Sequence, residues 1–234
     1  GGHLTLVPVC NPEAYRKDVR SIDENLNRVI KMHDNPQSYE QRLANEICPL
    51  IRSHRFTLDL HSTHCVGDVP FAFCDYPDDY NRKVIEALPV DYVLEGWPEI
   101  YGRQAQIQDF STEQCAHVYG NTATTLECGY HKEPKAAELA YRAIIGALAA
   151  FDMVDLSKPA AHEKTHIQMK SFVLKTGEGK LCRNYKHLDP LVKGEKIAVY
   201  DSGEFLYAPE DGFILLPNLQ APVNTACPFT KCIP

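Results

Sequence analysis

Asp59, His61 and His64 stand close together in the stretch FTLDLHSTHCVGD, from Phe56 to Asp68. Imidazole nitrogen and carboxylate oxygen are donors that zinc accepts, so metal ligation is the sharpest chemistry these residue types offer. Asp59, two positions before His61 on the same strand face, could orient the imidazole through its second nitrogen. The plainer alternative is a pair of loop histidines making ordinary hydrogen bonds. A second group is Glu127, in TLECG, with neighbours Leu126 and Cys128 that would point into a core. A carboxylate at the end of an internal strand is costly unless it is paired or used. It could serve as the general base that activates metal-bound water, or as a buried salt-bridge partner. The third group is RSIDENLNR, with Arg20 and Arg28 at its ends. Two guanidinium groups could clamp a substrate carboxylate, and a solvated loop with local ion pairs is the alternative. No GxGxxG, GxxxxGK or GxSxG pattern occurs, so nucleotide and serine-hydrolase chemistry have no footing.

These side chains need elements to position them. Alternation over Phe56–His61 predicts a strand with Phe56, Leu58 and Leu60 on one face and Thr57, Asp59 and His61 on the other. The polar face is delivered to the strand's C-terminal end, where α/β sheets keep their sites. TATTLECG predicts another strand after a turn at Gly120 and Asn121. HLTLVPVCNP predicts a short buried strand ending in a turn at Asn11–Pro12. YEQRLANEICPLIRSH predicts a helix with an apolar stripe of Leu43, Ile47, Leu50 and Ile51. YNRKVIEALP predicts a second helix, with a short strand in DYVLEG. The clearest helix is EPKAAELAYRAIIGALAAF, whose Glu133 and Pro134 suit a first turn. Strands alternating with helices predict an α/β domain over residues 1–160. From about Ser171 only short apolar runs remain, SFVL, KIAVY, GEFLYAP and GFILLP, broken by turn residues. They predict a small β-rich domain within 161–234, with the junction between Leu156 and Lys170.

The 234 residues are 44% hydrophobic and 24% charged, which suits one substantial core with a small appended unit. A formal net charge of -7 with no basic run argues against nucleic acid as a partner. No apolar run reaches about 18 residues, so no membrane span is expected. Nine cysteines without a CxxC pair fit reduced thiols in a cytoplasmic protein better than a disulfide framework, although Cys227 and Cys232 could pair. His117, after TEQCA, reads as a surface or packing residue. The sequence leaves a homo-oligomer open.

VPVCNPEAY, RSIDENLNR, LDLHSTH and TLECG, in this order and spacing, resemble the succinylglutamate desuccinylase/aspartoacylase family, a branch of the zinc carboxypeptidase-like hydrolases. YAPEDGFILLP is similar to part of that family's C-terminal domain, which shapes the entrance to the site. The resemblance implies a mixed sheet flanked by helices, an α/β carboxypeptidase-like fold, with Zn²⁺ as cofactor. It implies that His61 is a zinc ligand and that Glu127 deprotonates metal-bound water and then protonates the leaving amine. Arg20 would polarise the scissile carbonyl, and Asn27 and Arg28 would grip the substrate carboxylate; His64 lies outside the family's usual ligand set and is read as a pocket residue. The implied substrate is an N-acyl amino acid or a similar small carboxylate-bearing amide.

The family's other two zinc ligands sit in an HxxE motif before the strand corresponding to HLTLVPV, and no HxxE occurs here. HKEP at His131 has the wrong spacing, and HEKTH at His162 falls in the junction. The expectation is that a preceding segment carries the motif. A degenerate relative without zinc is the alternative. Other functions left open are a zinc carboxypeptidase acting on peptides and a metal-free, non-catalytic binding protein.

Overall fold

The computed structural model describes residues 2–102, 110–155, 163–170, 173–174, 177–217, 226–227 and 229–230. The helices are α1 (Pro12–Lys17), α2 (Tyr39–Ser53), α3 (Asp79–Ala87), α4 (Trp97–Gly102), α5 (Thr112–Val118) and α6 (Pro134–Ala150), with a 3-10 turn at Leu26–Arg28. The main sheet contains β1 (Phe56–Thr63), β2 (Phe71–Phe73), β3 (Tyr92–Glu95), β4 (Thr122–Tyr130) and β5 (Thr165–Gln168), in the order β1-β4-β2-β3-β5. It is mixed: β1 runs parallel to β4, β2 antiparallel to β4, and β3 parallel to both β2 and β5.

Side-chain alternation divides this sheet into two faces. Phe56, Leu58, Ala72, Leu126 and Cys128 pack against α3 and α6. Close contact between those helices requires Gly146, where a Cβ would stand 2.5 Å from the Ala87 carbonyl oxygen. On the opposite face, α2 and α5 cover Ala123 with Ile51, Cys48, Cys115 and Ala116. Further along that face, Phe71, Phe73, Leu94 and Ile167 meet Leu188, Phe213 and Leu215 of the C-terminal region. Asp59, His61 and Glu127 therefore emerge between the helical cover and the C-terminal cover.

Short side chains cap the helices that frame this opening. The Asn11, Ser38 and Ser111 side chains accept the N–H groups of Ala14, Gln41 and Gln114. The C-terminal region is β-rich, as expected. β6 (Val173–Leu174) pairs with β12 (Ala226–Cys227). β7 (Gly179–Leu181), β9 (Lys196–Tyr200) and β10 (Phe205–Tyr207) form one antiparallel sheet, and β8 (Pro190–Leu191), β11 (Gly212–Ile214) and β13 (Phe229–Thr230) another. Tyr185, Leu191, Ile197, Ala208 and Ile214 form its core.

Three expectations change. HLTLVPV forms no strand: the segment joins no ladder with the described strands, the outer edge of β1 included, and without one Leu4, Leu6 and Val7 lie exposed. The buried stripe of α2 is Glu40, Ala44, Cys48 and Ile51, and Leu50 faces outward. The stretch read as junction contains β5, which completes the main sheet. Lys164 anchors its start by donating from Nζ to the carbonyls of Leu88 (2.9 Å) and Val90 (2.8 Å). His162 and Cys232 lie outside the described residues.

Candidate active site

β1 and β4 run side by side in a register that sets Asp59 opposite Thr125 and His61 opposite Glu127. The ladder slips immediately afterwards, and Gly129 turns the chain with φ +94°, a conformation that suits a residue without Cβ. His61 and Glu127 are thus the last pair before the irregularity, beyond which Thr63 pairs with Tyr130 at the strand ends.

His61 Nε2–H donates to Asp59 Oδ2 at 3.1 Å, which turns Nδ1 toward Glu127 Oε1 at 3.8 Å. Burial disfavours the imidazolium, but Asp59 and then Glu127 outweigh it and raise the pKa to about 9, with Arg20 opposing. Burial pushes the Glu127 carboxyl upward. His61 pulls it back, Asp59 pushes it up, Arg20 lowers it and Asp68 raises it, and the net direction is upward. Glu127 Oε2 is buried without a hydrogen-bond partner among the described residues. This carboxylate is poised to take a proton. Asp59 experiences the converse: its burial is outweighed by His61 and by a hydrogen bond from Thr112, so it is held below its usual range.

The positive side of the site comes from the loop before α2. Glu40, fully buried in the first turn of α2, accepts the N–H of Ile22 (2.7 Å), Asp23 (3.1 Å) and Glu24 (3.3 Å) and the Asn11 amide (3.0 Å). Burial alone would raise its carboxyl, and these donors hold it low instead. The loop carrying Arg20, Asn27 and Arg28 is thereby fixed to α2. Part of the Arg20 side chain reaches solvent, yet its charge acts on Glu127, His61 and His64. Its own pKa is lowered by burial and by Arg28, against Glu127. Arg28 Nη1 donates to the Asn27 carbonyl at 2.6 Å. Asn27 Oδ1 accepts the Thr112 N–H at 3.2 Å, which leaves the amide nitrogen as the donor for a ligand. His64 stands exposed on the loop after β1, its pKa lowered by burial and then by Arg20 and His131. His117 stacks on Tyr76 at 4.0 Å and is exposed.

Glu40 and Glu113 are structural members of the site that the sequence reading did not single out. The available signal was their place on buried helix faces, beside Ala44 and Cys48 in α2 and beside Cys115 and Ala116 in α5.

Residues 1–143 match the family model for the succinylglutamate desuccinylase/aspartoacylase catalytic domain. The chain belongs to this family. Solved structures of the same fold include succinylglutamate desuccinylase from Vibrio parahaemolyticus, at TM-score 0.72 and 16% identity, over 96% of this chain and 69% of that one. The product-bound ectoine utilization protein EutE of Ruegeria pomeroyi gives TM-score 0.71 and 18% identity, over 97% and 72%. Murine aminoacylase 3 gives 0.65 and 18%, over 96% and 81%. None of the curated proteins compared matches the chain.

Membership supports a hydrolase of the desuccinylase or amidohydrolase type, and zinc as cofactor, in general terms. His61 fits one position of such a centre, because Asp59 holds Nε2 and leaves Nδ1 to face the opening. Among the described residues, no three His, Cys, Asp or Glu side chains are grouped to hold a metal ion. The described residues thus offer His61 as a candidate donor and no full ligand set. No helix of the described residues is long and apolar enough to cross a membrane.

Proposed function

We propose that the chain acts as a zinc-dependent hydrolase that cleaves the amide bond of an N-acyl amino acid or a similar small carboxylate-bearing amide. Residues 1–160, with β5 completing their sheet, would be the catalytic domain and the remainder of 161–234 a cap. The observation that carries this reading is the His61–Glu127 pair: an imidazole held through Nε2 by Asp59 presents Nδ1 beside a partly unpartnered, buried carboxylate. Zinc, when bound with His61 as one ligand, would supply Lewis-acid stabilisation of negative charge. The reading requires further ligands beyond the described residues.

Glu127 takes a proton from the attacking water as its oxygen bonds to the acyl carbon, and returns that proton to the nitrogen as the C–N bond breaks. The products are a carboxylic acid and an amine. Arg20 donates to the carbonyl oxygen as charge develops there. Asn27 and Arg28 receive the substrate carboxylate, supported by the Glu40-held loop, and His64 lines the rim.

The test is amine release from a panel of N-acetyl and N-succinyl amino acids, with and without added zinc, by wild type and Glu127→Gln. Zinc-dependent turnover that the substitution abolishes supports the reading. Binding without turnover at any zinc concentration favours a metal-free binding protein of the same fold.

A further inference from the structure

Glu113 is 3% exposed, and the chemistry proposed above does not use it. It sits in the first turn of α5 and reaches into the main sheet at an unusual place. β4 is paired with β2 only at Glu127–Phe71 and Leu126–Ala72. One residue earlier, at Thr125, that ladder has ended. The Thr125 N–H is instead accepted by Glu113 Oε1 at 2.7 Å, and Oε2 accepts the N–H of Asp75, just beyond β2, at 3.4 Å. One carboxyl group thus bridges the two strands where they part. A second buried polar side chain serves the same gap further along: Asn81 donates to the Ala123 carbonyl at 3.1 Å and to Thr124 Oγ1 at 2.7 Å.

The location of the Glu113 bridge separates it from ordinary packing. Thr125 is opposite Asp59 in the β1–β4 register, and Glu127 follows two residues later on the same face. The adjacent Thr112 donates its N–H to Asn27, so the same turn of α5 also touches the loop that carries the proposed carboxylate grip. We propose that Glu113 is a positioning residue for the reaction: by bridging Thr125 and Asp75 it fixes the strand segment that carries Glu127 against β1 and His61. Both of its oxygens accept N–H groups. A glutamine of the same shape has one oxygen only, and its NH₂ would confront the other donor. Burial raises this carboxyl to about 7, and the hydrogen bonds from Thr125 and Asp75 work against that rise by favouring the two-acceptor carboxylate.

The inference rests on the function proposed above, and its test separates the two. Wild type, Glu113→Gln and Asn81→Ala are compared for kcat and KM on the best N-acyl substrate, and for thermal midpoint. The expected result is a kcat loss approaching 100-fold in Glu113→Gln with KM changed less than about 3-fold, because displacement of a reacting group by about 1 Å costs that much. Asn81→Ala should lose comparable thermal stability without that kcat loss. Equal kcat losses in the two variants, or an unchanged kcat in Glu113→Gln, overturn the inference. If Glu113→Gln does not fold, Glu113→Asp, one methylene shorter, is expected to show the same split. A wild type that turns over nothing ends the functional reading. The crystal structure of the folded variant then decides: displacement of residues 125–127 against β1 supports the inference, and an unmoved segment overturns it.

Discussion

His61 and Glu127 stand directly across the parallel β1–β4 ladder, with Nδ1 3.8 Å from Oε1. In a parallel pair, facing residues project to the same side of the sheet, so the register alone brings an imidazole and a carboxylate together from positions far apart in sequence. Asp59 joins them by the same alternation. The arrangement is a property of two strands and costs no special loop geometry.

Asp59 sets which imidazole nitrogen is available. Asp59→Asn should weaken zinc binding about 10- to 100-fold, the usual effect of losing the partner that orients a ligating histidine. Competition with a chromophoric chelator measures this. Unchanged affinity would remove Asp59 from the account.

Glu40 should matter to substrate binding more than its distance from the chemistry suggests. Glu40→Gln replaces one acceptor oxygen by a donor facing backbone N–H groups, at a cost of about 1–3 kcal/mol. The expected results are a lower thermal midpoint and a raised KM, because Arg20, Asn27 and Arg28 share the released loop. The carboxyl is held low in the folded state, so its contribution is present above the ordinary carboxylate range and disappears as pH falls through the folded value. A variant with wild-type KM would show that the loop holds its shape unaided.

His187 makes the seam between sheet and C-terminal region sensitive to acid. It lies 4.5 Å from the Phe71 ring centroid and accepts the Leu216 N–H on Nδ1 at 3.2 Å, and burial lowers its pKa from 6.5 to about 4. Between these values the unfolded chain takes up a proton that the folded chain refuses. Stability is therefore full above about pH 6.5 and falls by up to about 3 kcal/mol as pH drops to 4. Urea midpoints across this range should show the slope, and His187→Gln should flatten it. An identical slope in the variant would assign the effect to other groups.

Thiol labelling tests burial directly. Cys48, Cys74, Cys115 and Cys128 are buried, whereas Cys10, Cys65 and Cys182 are exposed. Peptide mapping after brief alkylation of the native protein should find Cys182 labelled and the four buried thiols intact. Cys10 and Cys65 reach solvent but should react more slowly than Cys182 at neutral pH. Partial desolvation and a neighbouring carboxylate, Asp59 and Asp68 respectively, raise both thiols, that of Cys10 to about 11. Rapid labelling of Cys128 would contradict its place under α6.

The residues that ride on β1 and β4 were legible because strand alternation marks their polar face without reference to the rest of the molecule. The N-terminal segment shows the limit of that signal: HLTLVPV has a strand pattern, but a pattern cannot tell whether the segment pairs with an available edge. β5 was hidden for the opposite reason. THIQ has no apolar run, and only pairing with β3 and the Lys164 anchor make it a strand. Glu40 and Glu113 were missed because a charged residue in a first helical turn ordinarily faces water. Their acceptor roles are set by backbone N–H groups distant in sequence, which no local window contains.

The central claim is that His61 is a ligand of a zinc ion that serves Glu127. Its most direct test is zinc content per chain by inductively coupled plasma mass spectrometry, on wild type and His61→Ala purified without chelator or nickel resin, with intact mass recorded on the same samples. About one zinc per chain is expected in wild type, as a ligand set completed around His61 requires, with its loss in His61→Ala. A wild type free of zinc, or a variant that retains it, would contradict the account.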